Sequence, residues 1–208
     1  MIKNLIWDVD GTLFDTYPAI VRAFLLALQA FGKSDSALHV EQAAKVGLTH
    51  CARHLARLHD VPEGAFGDQF GELYNAIPKS EQPPFEGVKA VCESVLTRGG
   101  SNSVATHRAR ESAAELLSTH GMRHMFMEIV GGDDGFPKKP SPQSLLAIID
   151  RRALDRAETA AIGDRDVDIQ AGKAAGIRTC LFHGDEGEVA ADLVFSHYKE
   201  LQLYLEER

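Results

Sequence analysis

Short apolar runs alternate with longer segments in which apolar residues recur at helical spacing. Residues 5–9, 103–106, 129–130, 159–162 and 178–182 read as strands. Between them, residues 108–119, 141–150 and 166–175 read as helices, the last stopped by Gly176. Strands that alternate with helices predict an α/β fold, with a parallel sheet covered on both faces. In such sheets reactive groups collect at the carboxyl ends of the strands, near the point where strand order reverses.

The pattern changes after the first strand. "AIVRAFLLALQAFG", "EQAAKVGLTHCARHLARLHD" and "AFGDQFGELYNAI" are helix-like, with no convincing strand among them. The stretch "PKSEQPPFEGV" then supplies three prolines and a glycine, a linker-like return to the sheet. The expected organisation is an α/β core of residues 1–15 and 83–208, interrupted by a helical domain over 16–82.

Composition narrows the chemistry. A chain of 208 residues with 44% hydrophobic positions can bury a core without covalent staples. The net charge of -8 argues against nucleic-acid or membrane-surface partners, and it obliges any anionic substrate to find local positive charge. Cys51, Cys92 and Cys180 form no CxxC pair and suit a reducing compartment. No segment approaches the roughly 18 apolar residues of a membrane span. The expectation is a cytoplasmic protein, monomeric or homodimeric.

Four strand exits carry polar groups. The first, "LIWDVDGTLFDT", delivers Asp8 and Asp10 before a sharp turn at Gly11. The second ends in Thr106 and His107. Lys139 stands directly before Pro140, ahead of a helix start, and the fourth exit brings Asp164 and Asp168. Four acids at one sheet edge would repel one another severely without a counter-charge. A hard divalent cation relieves that repulsion, and Mg²⁺ is the usual choice where phosphate is also bound. Lys139, the Thr106 hydroxyl and backbone N–H groups at a helix N-terminus can grip phosphoryl oxygens. A carboxylate can then accept the phosphoryl group, and a second one can serve as acid and base.

This arrangement resembles the haloacid dehalogenase superfamily. Its four motifs match in order: DxDGT at 8–12, the strand-ending Thr106, Lys139, and GDxxxD at 163–168. The resemblance implies a Rossmann-like core with a C1-type helical cap, and a Mg²⁺-dependent phosphatase acting on a small phosphorylated metabolite. It implies Asp8 as nucleophile, Asp10 as acid and base, and Thr106 and Lys139 as phosphoryl ligands. Asp8, the Asp10 carbonyl and Asp164 would hold Mg²⁺, and Asp168 would support the metal site or orient Lys139. "KVGLTHCARHLARL" is similar to the substrate loop of the phosphoglycolate phosphatase-like members, which makes 2-phosphoglycolate the leading substrate. Phosphosugar mutases share every core motif, and a signalling receiver or a catalytically silent module would share some of them.

Other residues depart from the family pattern or have ordinary readings. His107 stands where a small or amide residue is usual and is a candidate substrate contact. Arg165 replaces a small hydroxyl residue, and either binds an anion or pairs with a neighbour. Asp166 reads as a solvated acid of a helix's first turn. His50 and His54 have the i, i+4 spacing of metal pairs but no HExxH glutamate, so they read as a polar helix face. Asp133 and Asp134 read as part of a mobile loop near the site.

Overall fold

Strand β1 (Asn4–Trp7) sends Leu5 and Trp7 into the apolar layer on one face and Ile6 into that on the other. This alternation, apolar on both sides, marks a central strand. The computed structural model describes residues 1–183 and 190–207. The chain divides into two units, Met1–Asp15 with Pro84–Arg208 and, separately, Thr16–Pro83.

The second unit holds four helices: α1 (Tyr17–Ala30), α2 (Ala37–Val46), α3 (Leu48–Leu58) and α4 (Glu63–Ala76). Phe24, Leu28, Val40, Leu55 and Phe66 fill its own core, and Phe24 stacks on Phe70 at 3.7 Å between centroids. The helix-like stretch 41–60 is in fact two helices. Gly47, at φ 151 and ψ 146, breaks it with a backbone conformation that side-chain-bearing residues rarely adopt.

The first unit continues with α5 (Val88–Thr97), β2 (Ser101–Ala105), α6 (Arg110–Thr119), β3 (Phe126–Val130) and α7 (Gln143–Arg152). Then come β4 (Thr159–Gly163), α8 (Asp166–Ala174), β5 (Arg178–Phe182), β6 (Leu193–Phe195) and α9 (Tyr198–Glu207). Among the described residues the sheet has six strands, all parallel, in the order β3-β2-β1-β4-β5-β6. Helices α5, α6 and α9 pack on one face, and α7 and α8 on the other. The short edge strand β6 escapes sequence reading because three residues make no recognisable run.

Strand order reverses at β1, with β2 on one side and β4 on the other. Trp7 is level with Val104 of β2 and Ile162 of β4. The register therefore brings the residues just after it, Asp8, Thr106 and Asp164, to one edge of the sheet. Trp7 is anchored there by its indole N–H, which donates to Oδ1 of the buried Asn102 side chain at 3.0 Å.

Candidate active site

Asp8 leaves β1 with its N–H donating to the Ile162 carbonyl at 2.9 Å. The chain then turns: the Val9 carbonyl accepts from both Thr12 and Phe14, and Gly11 takes φ 75. Only glycine adopts that backbone without strain. The turn exposes successive groups of the DxDGT stretch to one edge rather than continuing the strand.

Lys139 reaches this edge from the loop before α7. Its ammonium lies 3.1 Å from Asp8 Oδ1 and 2.5 Å from Asp168 Oδ1, and donates to the Ala105 carbonyl at 3.0 Å. The ammonium thus has one backbone acceptor and two carboxylate counter-ions. All three side chains are buried. Burial raises the Asp8 pKa, but Lys139 and Arg165 outweigh it, so Asp8 is held below the usual carboxylate range. Burial would lower Lys139, yet Asp168 and Asp8 turn the net shift upward and keep it charged. Asp168 is pushed up by burial and by the Asp8 charge, against the pull of Lys139.

Asp168 sits in the first turn of α8 and also accepts from the Arg165 N–H at 3.2 Å. It packs against Gly163 so closely that a Cβ there would lie 2.2 Å from the Asp168 Cβ. The glycine of the GDxxxD stretch is thus required by the last aspartate of the same motif.

Asp8, Asp164 and Asp168 each offer a carboxylate oxygen, and these atoms lie within 4.8 Å of one another. Thr12 donates to Asp164 Oδ1 at 3.3 Å, and Asp8 Oδ2 is buried without a hydrogen-bond partner. Such an all-oxygen donor set, with an orphaned carboxylate oxygen, fits a hard divalent cation. The Arg165 guanidinium stands among the same acids, 3.6 Å from Asp8 Oδ2, 4.0 Å from Asp164 Oδ1 and 3.9 Å from Asp168 Oδ2.

The Asp10 carboxylate does not join this group. It turns to Arg108, whose Nη2 lies 2.5 Å from Oδ1 and whose Nε donates to Oδ2 at 3.3 Å. A two-pronged contact of this kind fixes a carboxylate in plane as well as position. The sequence does not single out Arg108. Its only signal is a basic residue two places after Thr106, ordinary so close to a helix start.

Thr106 is buried, and its hydroxyl accepts from the Arg108 N–H at 3.2 Å rather than capping α6, which begins at Arg110. His107 Nε2 accepts from the Lys139 backbone N–H at 2.9 Å, so the ring braces the lysine loop. Burial, then the Lys139 charge, lowers its pKa to about 4 and keeps it neutral.

The acids expected in a mobile loop are tied down. Asp133 accepts from the Arg110 N–H at 2.8 Å, and Asp134 pairs with the Arg110 guanidinium at 2.7 Å and with Gly131 N–H. Asp166 is not simply solvated either, since Gln170 donates to its carboxylate. His54 faces His39 in the helical unit, with their Nε2 atoms 3.1 Å apart, and stacks on His50. Among the described residues no helix is long and apolar enough to cross a membrane.

Comparison with known proteins agrees with this geometry. The profile of the haloacid dehalogenase-like hydrolases matches residues 5–182. A phosphoglycolate phosphatase of Aliivibrio fischeri is 31% identical, over 92% of this chain and 89% of its own. A hydrolase structure from Streptococcus pneumoniae aligns with a TM-score of 0.68 at 28% identity, covering 99% of this chain and 98% of the other. A Thermotoga maritima structure described as a β-phosphoglucomutase aligns at 0.83 with 20% identity, covering 99% of each, which speaks for the fold alone. With the profile spanning most of its length, the chain belongs to the haloacid dehalogenase-like hydrolase family and is a phosphatase of that family.

Proposed function

We propose that the chain is a Mg²⁺-dependent phosphomonoester hydrolase that passes the phosphoryl group through Asp8. The observation that carries this reading is the buried contact between Asp8 and Lys139, 3.1 Å apart at the carboxyl end of β1. A carboxylate kept ionised beside an ammonium is prepared to attack phosphorus, and the ammonium can offset charge on a phosphoryl oxygen.

In the first half-reaction an Asp8 oxygen bonds to phosphorus while the bond from phosphorus to the ester oxygen breaks. Asp10 gives its proton to the departing alkoxide, and must leave Arg108 to do so. In the second half-reaction Asp10 takes a proton from water. The water oxygen bonds to phosphorus as the aspartyl oxygen departs, which releases phosphate and restores the Asp8 carboxylate. Thr106 and backbone N–H groups at the sheet edge would hold phosphoryl oxygens. Asp8, the Asp10 carbonyl and Asp164 would hold Mg²⁺, with Asp168 orienting Lys139. Bound there, the cation supplies charge stabilisation to the transferring group.

The substrate in this reading is a small phosphorylated metabolite, with 2-phosphoglycolate first; relatives named as phosphoglycolate phosphatases support that choice. The helical unit serves as its cap. Three free, buried cysteines fit a reducing cytoplasm.

Released phosphate from 2-phosphoglycolate, with Mg²⁺ and after its removal by EDTA, tests the reading directly. Asp8→Asn is expected to abolish turnover while the circular dichroism stays that of a folded chain, since Lys139 keeps Asp168 as a partner. Turnover retained in that variant would overturn the role of Asp8.

A further inference from the structure

We propose that Arg165 is a resident counter-ion of the carboxylate group, which competes with the divalent cation and couples its binding to that of phosphate. The inference rests on the phosphatase reading and deepens it.

The argument is one of charge. Three carboxylates, Asp8, Asp164 and Asp168, gather within 4.8 Å. Among the described residues two cations face them: the Lys139 ammonium, 2.5 and 3.1 Å from Asp168 and Asp8, and the Arg165 guanidinium, 3.6 to 4.0 Å from all three. With the lysine alone the cluster carries two uncompensated negative charges, which a dication neutralises. With the arginine as well it carries one, so the same dication leaves an excess positive charge. Arg165 therefore keeps the acids together before the metal arrives and opposes its arrival.

The excess positive charge is matched to the substrate. A phosphate monoester is a dianion near neutral pH, and a guanidinium presents paired N–H donors suited to phosphoryl oxygens. Arg165 is placed to make that exchange. It lies at the start of α8, its backbone fixed by the N–H bond to Asp168, while its side chain remains 17% exposed. The backbone can stay anchored while the guanidinium moves from carboxylate to phosphate. Cation and phosphate then each favour the other's binding, as linkage requires.

Arg165→Met keeps most of the stem and removes the charge. Mg²⁺ affinity is measured by isothermal titration calorimetry on the full chain, without and with saturating inorganic phosphate. In the parent, phosphate is expected to tighten Mg²⁺ binding by roughly tenfold, within the usual span of coupling between neighbouring sites. In Arg165→Met, Mg²⁺ alone is expected to bind roughly tenfold more tightly than to the parent, with the coupling to phosphate largely lost. The metal-free variant should also melt at a lower temperature and gain more from Mg²⁺. Should Arg165→Met fail to fold, Arg165→Lys, which keeps a charge but not the fork, should retain weak metal binding and lose part of the coupling. Mg²⁺ affinity in the substituted chain equal to or below that of the parent would overturn the inference. Asp164→Asn reports separately on the metal site: Mg²⁺ binding unaffected by it would sink the phosphatase reading's metal assignment itself.

Discussion

The Lys139 ammonium stands 2.5 Å from Asp168 Oδ1, both side chains buried, and the same ammonium holds Asp8. Removing one partner of a buried ion pair costs far more than the pair contributes, because a charge is left stranded. Lys139→Met takes the nearer cation from Asp8 and Asp168, leaving Arg165 at 3.6 and 3.9 Å, and is expected to lower stability by about 3–5 kcal/mol. Turnover should fall by roughly 10²–10³, the usual cost of losing a group that stabilises developing charge. Lys139→Met/Asp168→Asn, which keeps the acceptor for the Arg165 N–H, should recover part of the stability and none of the turnover. Urea unfolding of both variants checks this; a single variant as stable as the parent would remove the ion pair from any structural role.

Arg108 grips Asp10 with two nitrogens at 2.5 and 3.3 Å. If Asp10 serves as acid and base, it must leave this grip to carry a proton, and the grip sets the resting position from which it moves. General acid–base help is worth roughly 10²–10⁴-fold, and a mispositioned Asp10 should forfeit about one or two decades of it. Arg108→Met is thus expected to lower kcat with little change in KM, and Arg108→Lys to recover part of the loss. A kcat unchanged or raised by Arg108→Met would mean that the pairing restrains Asp10 without helping it.

What was legible in the sequence was local. The strand exits at Asp8, Thr106 and Asp164 lie at the ends of apolar runs, and a parallel register with β1 between β2 and β4 carries them to one edge. The contacts that escaped reading join residues far apart in the chain. Nothing near Asp10 announces Arg108, 98 positions on, and nothing near His54 announces His39 on another helix. The four acids expected at one point separate into a group of three and an Asp10 turned toward arginine, because an arginine was available to take the fourth. Arg165 was visible as a departure, but only its three-sided placement says which charges it answers.

His107 offers a test in pH. Its Nε2 accepts the Lys139 N–H, so the proton of the neutral ring must reside on Nδ1. Burial and Lys139 lower its pKa from 6.5 to about 4. A histidine whose folded pKa lies below its unfolded value stabilises the fold above 6.5 and loses that contribution as pH falls from 6.5 towards 4. Nitrogen NMR of the imidazole should show the Nδ1–H tautomer at pH 6 and titration only near pH 4. His107→Asn should flatten the fall of the melting temperature across the same window. An imidazole that titrates near 6.5 would refute the bracing contact.

In the helical unit Asp35 joins what the sequence separates. Its carboxylate accepts from Ser36 N–H at 2.7 Å, His39 Nδ1 at 2.9 Å and His59 Nε2 at 2.8 Å, and His39 passes the chain on to His54. One acid thereby ties the start of α2 to the residue that follows α3. Burial would raise its pKa, but the bonds from His59 and His39 outweigh burial and hold it below the ordinary value. A carboxylate with a depressed folded pKa stabilises the fold above its unfolded value near 3.8 and loses that contribution as pH falls through the lower, folded value. Asp35→Asn presents an amide NH₂ to one of the two imidazole donors, so at least one bond must be lost. The expected cost is roughly 1–3 kcal/mol, that of leaving a partly buried donor unsatisfied. Because the network lies within the helical unit, the loss should be local. Hydrogen exchange on the full chain should speed up in α2 and α3 while the β1 and β4 amides keep their protection. Unchanged exchange in α2 and α3 would mean that apolar packing around Val40 and Leu55 alone holds the two helices together.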